Sequence, residues 1–195
     1  MALPARVRDS LALIALAAAG CAGGPTAPDW QANAARAMQA YERHYLVGQT
    51  GLAETQFRTV RAELARTGRE DLLARAELAR CAVRAASLEF DDCPGFEKLR
   101  YAAGTQELAY AEYLAGRGRH AATSEPLSRL VASAVALRAG TLRPDGIAAA
   151  VELAAAQGWR RPLLAWLGVQ ERHAAAAGDG ETAARIRRRM DLISG

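Results

Sequence analysis

A repeated helical spacing of apolar residues constrains the fold of this chain more than any other feature. The clearest instance alternates steps of four and three, and it comprises Leu72, Ala76, Ala79, Val83, Ala86 and Phe90. On a helix, that spacing produces one apolar stripe, which must be buried against neighbouring helices. Because several members of the stripe are alanines, the sequence predicts a helix that its neighbours approach closely.

Similar stripes recur along the chain, and short breaks rich in glycine and proline separate them. One stripe comprises Trp30, Ala34, Met38, Tyr41 and Tyr45, and the next comprises Ala53, Phe57, Val60 and Leu64. Thr67 and Glu70 have the spacing of a capping box, so we expect a helix to begin there. The whole pattern predicts eight or nine helices and no strands. Because the connections are short, sequential helices are expected to pack as antiparallel hairpins.

The composition agrees with an all-α fold and argues against one class of partner. Alanine, leucine, arginine and glutamate dominate the sequence, and all four favour helices. The net charge is +4 over 195 residues, and acidic residues are interspersed with the arginines. The surface should therefore carry charges of both signs, and nucleic acid is not an expected partner.

The N-terminal residues have the features of an export signal. Arg6 and Arg8 precede a short apolar run over residues 10–20, and the run ends in small residues directly before Cys21. Such a run is too short to remain in a bilayer as a spanning helix.

These features resemble the lipobox signal of bacterial lipoproteins, although Ala18 stands where that family usually has leucine. The resemblance implies that residues 1–20 are a signal peptide, that Cys21 is the lipidated first residue of the mature chain, and that residues 21–28 form a tether. Because Ala22 stands where an aspartate would signal retention in the inner membrane, the resemblance favours the outer membrane, facing the periplasm. The alternative is an ordinary signal peptide with an incidental cysteine.

The two remaining cysteines lie within residues 29–195, which we expect to form a single all-α domain. Because the lipid would occupy Cys21, Cys81 and Cys93 are left as a pair in an oxidising compartment, and we expect a disulfide between them. Two free buried thiols are the alternative. No histidine lies at ligand spacing from either cysteine, so we expect no metal site and no cofactor.

Two segments share the pattern Gly-x-Gly-x-x-Ala-Ala between helical stretches, namely residues 116–122 and 178–184. The second segment resembles the inter-helix turn of a tetratricopeptide repeat (TPR), in which small residues let two helices approach closely. The resemblance implies a TPR-like α-solenoid of antiparallel helical hairpins. An irregular helical bundle without true repeats is the alternative.

Common catalytic motifs are missing from the sequence. It contains no Gly-x-Ser-x-Gly, no His-Glu-x-x-His and no phosphate-binding loop. Glu42 precedes His44 by two residues, as Glu171 precedes His173, and residues two apart on a helix point to different faces. We therefore expect no catalytic residues and a function other than catalysis.

Aromatic and arginine side chains are the expected anchors of a binding surface, because such residues dominate the energetics of protein interfaces. The candidates are Tyr41, Tyr45, Trp159, Arg185 and Arg188, and the alternative for the three aromatic side chains is burial in the core. The two arginines have two other interpretations, which are contact with anionic headgroups and compensation of the negative end of a helix.

The expected function is that of a membrane-anchored periplasmic lipoprotein. It would act as an interaction scaffold, or as an accessory subunit of an envelope machine, through a concave face that binds another envelope protein. Two alternatives stay open, namely a cell-wall-acting enzyme and a small-ligand carrier, each with a site formed between helices.

Overall fold

The computed structural model describes residues 28–195, and these residues form nine α-helices and no strand. The predicted all-α fold is confirmed. The helices are α1 (Asp29–Leu46), α2 (Thr50–Ala65), α3 (Glu70–Ala86), α4 (Pro94–Glu97), α5 (Thr105–Leu114), α6 (Pro126–Arg138), α7 (Pro144–Ala156), α8 (Arg160–Ala176) and α9 (Gly180–Ser194), with a 3₁₀ turn at Arg100–Ala102. The expected signal peptide and Cys21 lie outside the described residues.

The first three helices pack around a core of their own. Short connections make α1 and α2 antiparallel, and also α2 and α3, so α1 and α3 run in the same direction. The core includes most of the two stripes expected for α1 and α2: Ala34, Tyr41, Tyr45, Ala53, Phe57, Val60 and Leu64 are all buried. For these helices, the apolar spacing therefore predicted the buried face.

Helix α3 is buried on two faces. Ala76 and Val83 belong to the core shared with α1 and α2, whereas six residues belong to a second core shared with α5–α9: Ala74, Leu78, Cys81, Ala82, Ala85 and Ala86. In the second core, the indole nitrogen of Trp166 donates a hydrogen bond to the carbonyl oxygen of Ala86 at 3.1 Å. Small residues let helices from both sides pack directly on α3.

The predicted end of α3 requires correction. Phe90 lies beyond the helix, which ends at Ala86, and Leu88 takes a left-handed backbone conformation with φ of 61°. The helix begins at Glu70, within the predicted capping-box segment, but Thr67 is not its N-cap. The Thr67 hydroxyl instead donates to the carbonyl oxygen of Leu64 at the end of α2 and accepts a hydrogen bond from the Arg69 amide at 3.1 Å.

The shared glycine pattern does not produce a shared structure. In residues 178–184 it forms the turn between α8 and α9, where the Asp179 carboxylate accepts a hydrogen bond from the Thr182 amide at 2.9 Å. In residues 116–122 it lies in an irregular connection, and the next helix begins only at Pro126. There the ring of His120 packs edge-on against Tyr110, with 4.8 Å between the centroids.

One contact joins helices that are far apart in sequence. Helix α1 contacts α8, although the hairpins α3/α5 and α6/α7 lie between them along the chain. In an open solenoid each repeat would contact only its neighbours along the chain. Of the two predicted architectures, the contacts therefore favour the irregular bundle.

Arg161, on α8, connects this helix to the first three helices through polar contacts. Its guanidinium donates to the carbonyl oxygen of Tyr45 at 2.8 Å, to the Glu89 carboxylate at 3.1 Å and to the Thr50 hydroxyl. It also lies over the Tyr45 ring, 4.3 Å from the centroid. One side chain thus links α8 to the end of α1, the start of α2 and the segment after α3.

Cys81 and Cys93 form the predicted disulfide, with their Cα atoms 5.8 Å apart. The bond ties the segment after α3 back onto α3 itself.

None of the helices in the described part of the chain combines the length and the hydropathy needed to cross a bilayer.

We predict that Arg161→Ala lowers the free energy of unfolding by about 2 kcal/mol, because it removes several charge-assisted hydrogen bonds and leaves Glu89 without one of its cations. Arg161→Lys should restore only part of the loss, since an ammonium group cannot reproduce the fork of the guanidinium. Chemical denaturation measures both effects. Arg160→Ala, at the exposed neighbouring position, is the control, and a loss of equal size there would contradict the prediction.

We predict that Cys81→Ser combined with Cys93→Ser lowers the free energy of unfolding by about 3 kcal/mol, because the bond closes a short loop in the unfolded chain. The measurement compares this variant with the wild type under oxidising conditions. If the disulfide is the cause, a reducing agent should remove the difference between the two proteins. A difference that persists after reduction would point to lost packing instead.

Candidate docking groove

Tyr41 and Tyr45 do not form an exposed binding surface. Both side chains are buried, with exposed fractions of 0% and 2%, and they pack against each other and against Phe57. Burial raises the pKa of Tyr41 to about 12. The pKa of Tyr45 is also raised, mainly by burial and to a smaller extent by the nearby Glu89 carboxylate. The expectation that these tyrosines anchor a partner is therefore not met, and they belong to the core.

The tyrosines adjoin a group of ion pairs between α2, α3 and the segment after α3. Arg80 donates to both carboxylate oxygens of Glu54, at 2.8 and 2.7 Å, and lies over the Phe57 ring. Arg84 pairs with Asp91 at 2.6 Å. These contacts hold the C-terminal half of α3 firmly among its neighbours, which is a structural role.

The other three expected binding residues lie elsewhere. Trp159, just before α8, is half-buried between the two cores. Arg185 and Arg188 are exposed on α9, where Arg185 contacts only the hydroxyl of Thr182 among the side chains described. The neighbouring Arg187 pairs with Glu171 on α8 at 3.0 Å. The five candidates therefore do not form one surface.

Cys81, Asp91 and Cys93 are close enough together to resemble a metal site. The two sulfur atoms are bonded to each other, so neither is a thiolate available to a metal. Asp91 accepts a hydrogen bond from the backbone amide of Cys93 at 3.1 Å and pairs with Arg84. These contacts account for the arrangement without a metal ion.

A polar pocket of about 460 Å³ lies beside the disulfide. Several of its charged side chains are already paired: Glu112 binds Arg117 at 2.7 Å and Arg100 at 3.1 Å, and Arg100 also binds Glu97 at 2.8 Å. Hydrogen bonds from Arg117 and Arg100 lower the pKa of Glu112, so this carboxylate is unsuited to proton transfer near neutral pH.

A further concave surface runs along α3. It comprises three adjoining hollows of about 300, 350 and 350 Å³. All three are lined by Ala79, while Met38 and Tyr110 each line two of them, so the hollows form one continuous depression. We call this depression the α3 groove. One wall is α1, and the other comprises α5, the irregular connection and the start of α6.

The floor of the α3 groove is mostly small and apolar. Along α3 it runs from Leu72 through Ala76 and Ala79 to Val83. At a rise of 1.5 Å per residue, this floor is about 16 Å long. Apolar side chains of the walls and of α2 line much of the rest: Trp30, Ala34, Met38, Val60, Leu64, Leu127 and Val131.

Four charged side chains line the α3 groove, beside several neutral polar ones. Arg75 pairs with Glu107 across α3 and α5 at 2.7 Å. Glu42 on α1 and Glu125 before α6 line the hollow nearest the irregular connection. Burial raises the pKa of Glu42, the charge of Glu125 raises it further, and Arg43 partly opposes the effect. An apolar depression with polar groups at its margin is the usual form of a docking site.

The apolar stripe of α3 is the sequence signal for this groove, although the sequence analysis interprets it as a buried helix face. Its floor residues belong to the apolar stripe on which the fold prediction rested, and we expected that whole stripe to be covered by neighbouring helices. None of the five expected binding residues lines the groove.

Comparisons with protein-family models, with curated proteins and with solved structures gave no match to this chain. The functional argument therefore rests on the geometry of the described residues.

We predict that Glu42→Gln stabilises the protein at pH 7. Because the pKa of Glu42 is raised in the folded state, the protonated side chain favours folding. Its contribution to the free energy of unfolding is complete below the ordinary pKa of 4.5 and is lost as the pH rises through the folded-state pKa. A neutral amide avoids that loss. Urea denaturation of the variant and the wild type should therefore differ at pH 7 and converge as the pH falls to about 4.

The control is Glu181→Gln, at an exposed position on α9. It should change the free energy of unfolding little at either pH. If Glu42→Gln destabilised the protein at pH 7, the assigned effect of burial would be wrong.

Proposed function

We propose that this chain is a membrane-anchored periplasmic lipoprotein that uses the α3 groove to bind another envelope protein. The groove is the observation that carries the proposal. Its floor is about 16 Å long, and Met38, Leu72 and Ala79 are partly exposed along it. The helices around it are fixed by the disulfide and by the ion pairs of α3. A scaffold requires such a preformed surface on a rigid support.

The proposed anchor would place the groove near the membrane. Trp30 lines one end of the groove and follows Cys21 by nine residues. Nine fully extended residues span at most about 30 Å. A lipid on Cys21 would therefore keep this end of the groove close to the headgroups, where a membrane protein or another anchored protein could reach it.

The docking role is tested by photo-crosslinking in intact envelopes. A photoreactive amino acid replaces Gln31 or Gln106, which are exposed and line the groove, or Gln157, which is exposed at the end of α7. We expect a discrete adduct from the two groove positions and none from Gln157.

A second substitution makes this test specific to the groove. Ala79→Leu adds bulk to the floor shared by all three hollows, so it should weaken the adduct while the circular dichroism spectrum stays that of a folded helical protein. The docking proposal would be contradicted by equal adducts from all positions, or by an adduct that Ala79→Leu leaves unchanged.

The anchor is tested by metabolic labelling with an alkyne-bearing fatty acid. We expect label on the wild type and none on Cys21→Ser, and we expect only the wild type to sediment with membranes. Label-free wild-type protein with a mature terminus other than Cys21 would support the ordinary signal peptide and overturn the lipid anchor.

A further inference from the structure

Two carboxylates distinguish one part of the α3 groove from the rest. Glu42 and Glu125 come from opposite walls and line the same hollow, together with the apolar side chains of Met38, Leu127 and Val131. Elsewhere in the groove the Glu107 carboxylate is neutralised by Arg75. Within residues 28–195, neither Glu42 nor Glu125 forms an ion pair.

The charge on this hollow favours a cation. Burial raises the pKa of Glu42, and the charge of Glu125 raises it further. An ammonium or guanidinium group placed between them would relieve both effects. An anionic occupant, such as a fatty acid or an acidic peptide, would instead add a third negative charge.

The shape of the groove favours a helix over an extended chain. Its floor and walls are mostly helices, whose backbone groups are already hydrogen-bonded within each helix. An extended segment would find few backbone partners there, whereas a helix satisfies its own backbone groups. The alanines of the floor allow a second helix to lie close to α3, and about three helical turns match its length.

We propose that the α3 groove binds an amphipathic helix of a partner protein, and that this helix places a lysine or arginine between Glu42 and Glu125. The inference rests on the proposed docking function and specifies the chemistry of the partner. The apolar stripe of the bound helix packs on Leu72 and Ala79, and its cation lies at the end of the groove nearest the irregular connection.

Binding of two matched peptides to the purified full chain tests the proposal. Each peptide has about 12 residues, carries the same leucine and alanine stripe and is stapled to keep it helical. One carries lysines beside the stripe and the other carries glutamates at those positions. Fluorescence anisotropy is measured with protein and with detergent micelles alone as the blank.

We expect the lysine peptide to bind at least about tenfold more tightly than the glutamate peptide. Glu42→Gln combined with Glu125→Gln should remove most of that preference without reducing the binding of an uncharged peptide. Glu152→Gln combined with Glu181→Gln changes two carboxylates outside the groove, so this control should keep the preference.

The remaining outcomes separate the two proposals. Equal binding of both peptides that Ala79→Leu abolishes would overturn the cation preference and leave docking in the groove intact. A preference for lysine that survives the loss of Glu42 and Glu125 would likewise overturn this inference. If neither peptide binds the folded protein at millimolar concentration, both the inference and the docking function fail.

Discussion

The burial of α3 on two faces is the constraint on which the rest of the structure depends. Because its side chains on those faces are mostly alanine, helices of the first core and helices of the second core can both pack directly against it. A well-packed interior cannot accept larger side chains without displacing its neighbours. The positions of α1 and α6 on either side of α3 follow from this close packing, and the groove lies where Ala79 of α3 stays partly exposed between them.

Apolar spacing predicted the elements well and their arrangement poorly, for a physical reason. Periodicity is a local property, so it identified the buried faces of α1 and α2, including Phe57 and Val60. It could not show that the stripe of α3 is covered at Ala86 but open at Ala79, because that difference depends on where α6 lies. The residues of the groove floor were thus recognisable as an apolar stripe, but the spacing alone did not identify them as a binding site.

Polar contacts between distant residues were beyond sequence reasoning altogether. Arg161 follows Tyr45 by more than one hundred positions, and only the folded chain brings its guanidinium to that backbone carbonyl. The residue type of Tyr41 and Tyr45 favoured an interface, whereas the apolar stripe that contains them indicated burial. Both side chains are buried. In this protein, spacing was a better guide than residue type to the exposure of an aromatic side chain.

The contact between α1 and α8 has a consequence for how such a protein can change in evolution. An open array lengthens when a hairpin is duplicated, because each new unit needs only a neighbour to stack on. Here α8 packs against α1 although most of the chain lies between them, so a hairpin inserted in that stretch would separate Arg161 from Tyr45 and expose core residues of both helices. Descendants of this fold are therefore expected to vary in their loops and groove walls while the number of helices stays constant.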